Sequence, residues 1–167
     1  EFKITRKIIN VPTLDWEMKE GNIAYINLHS FNANAPAIFY EAGFNALLKG
    51  ARGVILDLRN NPGGFLDVAV NLAGWFLDRG DIVVKERFRE GDIRELRANG
   101  NSAFRNLPVV ILVNGGSASA SEILAGALRD QRGAKLIGTK TFGKGTVQEI
   151  ENLKDGSTLK VSIAEWL

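Results

Sequence analysis

Residues 109–122 read VVILVNGGSASASE, an apolar run that ends in a polar turn rich in glycine and serine. Its five consecutive β-branched or leucine residues indicate a strand buried on both faces, as in parallel sheets that helices cover. Beyond Ser119 the apolar residues recur at helical spacing, and Gly133 lies just past the end of that pattern. The stretch therefore predicts a strand, a tight turn and a helix in direct succession, which is the repeating unit of α/β proteins.

Similar units occur elsewhere in the chain. Residues 54–58 form a second apolar run, and an apolar helix is predicted to follow over residues 66–77. Strands are also predicted at residues 23–28 and 82–88, where β-branched residues are frequent. A helix over residues 35–48 should begin after Asn34 as its cap, with Pro36 in the first turn, and end at Gly50.

Towards the end of the chain the apolar period changes from helical to two. We predict strands there at residues 136–137, 146–150 and 159–163, with a hairpin turn at Asp155-Gly156. The first residues, FKITRKIINV, also alternate like a strand, and the last, TLKVSIAEWL, break off within one. We therefore expect an α/β fold of strand-strand-helix units, present as one core domain over residues 1–167 that was cut from a longer protein.

Composition narrows the possible functions. The net charge of +2 over 167 residues gives no long-range field that would favour nucleic acid or anionic membranes. The absence of cysteine excludes a disulfide framework, thiolate metal sites and a cysteine nucleophile. No apolar run approaches the roughly 18 residues of a membrane span, and the first four residues, EFKI, are no signal sequence.

The first motif that could carry chemistry is LRNNPGG at residues 58–64, between a buried strand and an apolar helix. Pro62 followed by Gly63 suits a type II turn, and paired glycines allow backbone N–H groups to point at a ligand. An oxyanion hole can be built from such main-chain donors. Taken alone, however, the motif more often marks a plain strand-to-helix turn.

The second motif is NGGSASASE at residues 114–122, again between a strand and a helix. A Ser119 hydroxyl at the start of the helix would lie where backbone N–H groups can stabilise a developing oxyanion. Ser119 and Glu122 also have the spacing of a capping box, which explains both residues without any catalysis. The motif alone leaves these two interpretations about equally open.

The third motif is TFGKGTVQ at residues 141–148, which places Lys144 between two glycines at the start of a strand. Residues 138–144 match the spacing of a phosphate-binding loop, but Gly145 stands where Ser or Thr should hold magnesium. The following residues are strand-like, whereas a phosphate-binding loop leads into a helix. A nucleotide site is therefore disfavoured, and a solvated lysine at a turn is the other simple interpretation.

A serine nucleophile needs a general base. His29 is the sole histidine and lies in a strand-like stretch that does not resemble a catalytic turn, so we expect a surface or strand-end histidine. A pair of serine and lysine is the remaining known arrangement, and Lys144 is the lysine in an unusual backbone setting.

The three motifs, in this order, resemble the peptidase core of the carboxyl-terminal processing, or tail-specific, proteases of the S41 type. The resemblance implies a fold like that of crotonases and Clp proteases, a spiral of β-β-α units. It implies Ser119 as nucleophile, Lys144 as base, Gln148 as the residue that holds the lysine amine, and Glu122 as a supporting acid. The oxyanion hole would consist of backbone N–H groups, from Ala120 and from either Gly63 or Gly64.

The resemblance also suggests the setting of the enzyme. Family members cleave protein substrates, use no metal or organic cofactor, and reside outside the cytoplasm in periplasm, cell envelope or thylakoid lumen. They carry a PDZ domain that captures the carboxyl terminus of the substrate, and no segment of this chain resembles one. Two alternatives remain: a ligand-binding module of the same fold that has lost catalysis, and an acyl-CoA enzyme that shares the oxyanion glycines but has no use for Ser119 and Lys144.

Overall fold

The computed structural model describes residues 11–167, which form two β-sheets and three α-helices. The strand predicted within the first ten residues lies outside the described part of the chain. The elements in order are β1 (Leu14–Lys19), β2 (Ile23–Leu28), α1 (Ala35–Leu48), β3 (Gly53–Asp57), α2 (Leu66–Ala73), β4 (Ile82–Phe88), β5 (Ile93–Arg97), β6 (Val109–Val113), α3 (Ala120–Arg132), β7 (Lys135–Gly138), β8 (Thr146–Asn152) and β9 (Thr158–Trp166).

The larger sheet positions the three motifs. Its strand order is β1-β2-β3-β6-β7, and β2, β3, β6 and β7 run parallel to one another. The two apolar runs form the adjacent strands β3 and β6, which confirms them as buried parallel strands. Because parallel strands end at the same edge of a sheet, the segments after β3, β6 and β7 meet there. These segments contain the motifs at residues 58–64, 114–122 and 141–148.

Helix bounds agree closely with the sequence pattern. Helix α1 has the predicted bounds and Pro36 in its first turn, but Asn34 makes no capping bond with its side chain. Helix α2 ends four residues earlier than predicted, because the N–H groups of residues 74–76 bond three residues back and tighten the chain. Helix α3 ends at Arg132, and the next residue, Gly133, has the left-handed φ of 67° expected of a glycine that terminates a helix.

The smaller sheet has the order β5-β4-β9-β8 with antiparallel neighbours. Its β8-β9 hairpin turns at Asp155-Gly156 as predicted, with a φ of 84° at Gly156. Strands β1 and β5 were not predicted, because their sequences, LDWEMK and IRELR, are rich in charge and lie at sheet edges. The mixed α/β class predicted from the sequence is confirmed.

None of the helices within residues 11–167 combines the length and the apolar character that a bilayer crossing demands.

Candidate active site

Two asparagines join the loops that follow β3 and β6. The N–H of Asn60 donates to Oδ1 of Asn114 at 2.9 Å, and Nδ2 of Asn114 donates back to Oδ1 of Asn60 at 2.9 Å. Asn60 adopts a left-handed φ of 59°, a conformation that asparagine tolerates better than most residues. The first two motifs are thus fixed to each other by a reciprocal pair of side-chain contacts.

Asn61 connects the same loops from inside the protein. Its fully buried side chain donates to the carbonyl of Leu28 at 2.7 Å and accepts the N–H of Gly63 at 2.9 Å. Its own carbonyl accepts the N–H of Ala118 at 3.0 Å and the hydroxyl of Ser121 at 2.9 Å. A buried amide that meets its partners on three segments holds those segments in one arrangement.

Ser117 completes this scaffold below the surface. Its buried hydroxyl donates to the carbonyl of Leu58 at 2.7 Å, and its own carbonyl accepts the N–H of Phe142 at 3.0 Å. The third motif is therefore tied to the second through the same serine. The sequence did not reveal the roles of four residues, Asn60, Asn61, Asn114 and Ser117. The signal that could have indicated them is that they are polar residues in turns between apolar strands and helices.

Ser119 has an unusual backbone. It precedes α3 with φ 57° and ψ −118°, and its side chain is nearly buried, with 9% of the residue exposed. An ordinary helix cap has extended backbone angles. A non-glycine residue at such positive φ costs on the order of 1–3 kcal/mol and persists where the surroundings enforce it, often at functional sites. Capping alone does not account for this strain.

Gly63 lies against Ser119 at a distance that only glycine allows. A Cβ on Gly63 would lie 2.8 Å from Cβ of Ser119 and 2.9 Å from the nitrogen of Ala120. The φ of 96° at Gly63, directly after Pro62, fits the type II turn expected from the sequence. The turn of the first motif therefore packs directly onto the start of α3.

The candidate oxyanion donors differ in their availability. The N–H of Gly63 donates to Oδ1 of Asn61, so it is already engaged. Within residues 11–167, the N–H groups of Gly64 and Ala120 have no hydrogen-bond acceptor. Gly64 has no room for a side chain either, because a Cβ would lie 2.3 Å from the carbonyl oxygen of Phe31.

The Glu122 carboxylate links the serine to the lysine segment. Its Oε2 accepts the N–H of Ser119 at 2.9 Å and that of Lys144 at 3.0 Å, while its Oε1 accepts the N–H of Gly143 at 2.7 Å. Burial alone would raise the pKa of Glu122, but bonds from the Thr141 side chain and these backbone N–H groups outweigh burial and hold it below its ordinary value. The capping acid of α3 is thus also a brace for the loop after β7.

Lys144 is half-buried in that loop, which continues into strand β8. A strand at this position rules out the phosphate-binding loop considered from the sequence, because that loop must lead into a helix. Among residues 11–167, no hydrogen bond joins the Lys144 amine to Ser119 or to Gln148. Gln148 is exposed on β8.

His29 is engaged elsewhere. Its Nε2 lies 2.8 Å from Oδ2 of Asp15, at the surface one residue beyond the end of β2. The expectation of a strand-end histidine is therefore confirmed by its position.

An ion pair between the buried Asp57 and the half-exposed Arg59 supports the start of the first motif, and no sequence pattern indicated it. Asp57, at the end of β3, accepts three bonds from Arg59, two from Nε and one from Nη2, and a 2.6 Å bond from the Tyr25 hydroxyl. Burial alone would raise the pKa of Asp57, but the bonds from Arg59 and Tyr25 hold it below its ordinary value. The ion pair holds the backbone in place just before Asn60 and Asn61.

Comparisons with known proteins agree on one family of peptidases. Residues 22–167 match the model of peptidase family S41. The chain is 42% identical to a protein of Staphylococcus epidermidis named probable CtpA-like serine protease, and 40% identical to the carboxy-terminal processing protease CtpA of Bacillus subtilis. It is covered completely in both cases but spans only 34% and 36% of their lengths.

A solved structure extends the likeness to three dimensions. The photosystem II D1 C-terminal processing protease superposes with a TM-score of 0.87 at 36% identity. The match covers 98% of this chain and 45% of that protein. The chain therefore belongs to peptidase family S41, in which its relatives are carboxy-terminal processing proteases.

Proposed function

We propose that this chain holds the catalytic centre of a serine endopeptidase in which Ser119 is the nucleophile and Lys144 the general base. The observation that carries the proposal is the Glu122 carboxylate, which accepts the N–H groups of Ser119 and Lys144 with one oxygen. Two residues that bond to the same oxygen atom must lie side by side. The strained backbone of Ser119 supports the assignment, because such strain concentrates at functional residues.

The proposed reaction is acyl transfer. The neutral amine of Lys144 takes the proton of the Ser119 hydroxyl, and the oxygen attacks the carbonyl carbon of the scissile bond. The negative charge that develops on the carbonyl oxygen is stabilised by backbone N–H groups. The amine then returns its proton to the leaving nitrogen, and water hydrolyses the acyl-enzyme.

For the oxyanion hole we favour the N–H groups of Gly64 and Ala120. Ala120 directly follows Ser119, and Gly64 directly follows Gly63, which packs against Ser119. Neither N–H has an acceptor among the described residues, whereas the N–H of Gly63 is bound to Asn61. In this assignment Gly63 contributes close packing and Gly64 contributes the donor. A donor already bound to a side chain would have to break that bond before it could stabilise the transition state.

Glu122 and Gln148 have supporting roles in this proposal. Glu122 is a positioning residue that sets the Lys144 segment against the start of α3 through its three bonds to backbone N–H groups. Gln148 would hold the lysine amine, which requires its exposed side chain to turn towards Lys144 when substrate is bound. Both act through Lys144 rather than on the substrate.

The setting of the whole protein is part of the proposal. Relatives named as proteases are about three times as long as this chain, which leaves room for the PDZ domain expected from the resemblance. We propose that residues 1–167 act as one peptidase core, that such a domain selects substrates by their carboxyl termini, and that the enzyme works outside the cytoplasm. A catalytically inactive binding module is not favoured by relatives that are named as proteases.

The test is the variant Ser119→Ala in the full-length protein, with an unfolded polypeptide as substrate. We expect cleavage to disappear while the melting temperature stays close to that of the wild type. A capping role alone would instead lower stability by about 1 kcal/mol and spare cleavage. Ser157→Ala, in the exposed β8-β9 hairpin, is the matched control and should keep full activity. Unchanged cleavage by Ser119→Ala would refute the proposal.

A further inference from the structure

An open cavity of about 500 Å³ lies between α3, the start of β4 and the end of β9. We call it the α3 cavity. Its lining includes the apolar side chains of Ile82, Ile123, Ala127 and Trp166. It also includes charged residues, namely Lys85, Glu122, Arg129, Asp130 and Lys144. Its volume is within the range of about 300–1,000 Å³ that is usual for ligand pockets. The cavity is therefore continuous with the proposed catalytic centre.

The α3 cavity begins one helical turn from Ser119. The N–H of Ile123, which lines the cavity, donates to the carbonyl of Ser119 at 3.0 Å. One turn of α-helix spans about 5.4 Å, which is the reach of a single side chain. Gly63 and Gly64 do not line the cavity. It therefore opens on the side of Ser119 that carries Lys144.

We propose that the α3 cavity takes an apolar side chain of the polypeptide substrate from the residue directly after the scissile bond. This subsite rests on the proposed function. The base that deprotonates Ser119 must also protonate the leaving nitrogen, so that nitrogen lies beside Lys144. The residue that carries this nitrogen then has its side chain at the Lys144 end of the cavity. The apolar part of the wall favours an apolar side chain because burial removes both surfaces from water.

Gly126 offers a way to fill the cavity without disturbing the fold. It lies on α3 one turn after Glu122 and lines the cavity. A Cβ at this position meets no heavy atom within 4 Å, and the cavity beside it provides space for further side-chain atoms. Replacement of a helical glycine also favours the helix. Gly126→Leu should therefore fold and occupy the space that the substrate side chain needs, and Gly126→Ala is the matched control.

The experiment uses the full-length protein and three peptides that differ only in the residue after the cleaved bond, which is Leu, Ala or Asp. We expect the wild type to prefer Leu over Ala and to cleave the Asp peptide least. Gly126→Leu should lower kcat/KM for the Leu peptide by about 10-fold or more and for the Ala peptide by less than about 3-fold. Gly126→Ala should lower kcat/KM for the Leu peptide less than Gly126→Leu does.

Ile82→Ala tests the subsite in the opposite direction and does not depend on the folding of Gly126→Leu. It enlarges the cavity at a half-buried position and should shift preference from Leu towards Phe after the cleaved bond. An unchanged Leu to Ala ratio in Gly126→Leu would overturn the assignment. Failure of the wild type to cleave any polypeptide would refute the proposed function itself, and the subsite with it.

Discussion

Replacement of Glu122 by glutamine tests whether the brace between Ser119 and Lys144 supports catalysis. The carboxylate receives three backbone N–H groups, one on Oε1 and two on Oε2. Glutamine has a single side-chain acceptor oxygen. Its NH₂ group must therefore face either the N–H of Gly143 or the N–H groups of Ser119 and Lys144, and it cannot accept a bond from them. The less costly orientation keeps the bonds to Ser119 and Lys144 and loses the bond to Gly143.

The expected loss follows from that single bond. A hydrogen bond to a charged group contributes about 1.5–3 kcal/mol, and the exposure of Gly143 to water favours the lower end. We therefore expect the free energy of unfolding in urea to fall by about 1.5–2 kcal/mol. The loop that carries Lys144 is also released on one side, and displacement of a catalytic group by about 1 Å can cost about 100-fold in rate. We expect kcat to fall by about 10- to 100-fold with little change in KM.

The pH dependence provides a further check. Because the pKa of Glu122 is held below its ordinary value of 4.5, the brace contributes its full stabilisation above that pH. The contribution should be lost as the pH falls through the lower pKa of the folded protein. The stability difference between wild type and Glu122→Gln should thus be constant between about pH 5 and 7 and shrink in stronger acid.

A matched control keeps the experiment specific. Glu41→Gln removes an equal charge from the exposed face of α1 and should leave stability and rate unchanged. If Glu122→Gln kept full kcat and lost only stability, the carboxylate would be a helix cap without a role in positioning the base. If it lost neither, the brace itself would be of no energetic consequence.

Three further substitutions test the remaining roles. Lys144→Arg should abolish cleavage at every accessible pH, because guanidinium stays protonated and cannot act as a base; substantial activity would mean that another group is the base. Gln148→Ala should reduce kcat/KM without abolishing it, since orienting a base contributes less than the base itself, and a loss as large as that of Lys144→Ala would make Gln148 a full member of the site. Gly63→Ala should lower both the melting temperature and cleavage, because its Cβ would lie 2.6 Å from the carbonyl of Ala118; a melting temperature equal to the wild type would show that the backbone can yield.

Much of the fold was accessible from the sequence. Continuous apolar runs identified β3 and β6 as buried parallel strands, and helical spacing with a terminal glycine placed the end of α3 at Gly133. These features are local, because the apolar period of a strand or helix and the glycine at its end are determined by residues that are neighbours in the chain. Charged edge strands escaped detection, since β1 and β5 bury too little apolar surface to produce a clear period.

The candidate site, like the fold, was predictable from the sequence only in part. The sequence by itself singled out Ser119 and Lys144 and ordered the three motifs, because glycines and strand ends mark their positions. Only the tertiary structure decided that Glu122 joins the two segments, that Asn61 bonds to Leu28 and Ala118, and that a cavity opens beside the lysine. The physical reason is distance along the chain. These contacts bring together segments that are 20 or more residues apart or lie on different loops, and the parallel order of β3, β6 and β7, which no local period reports, determines which side chains meet.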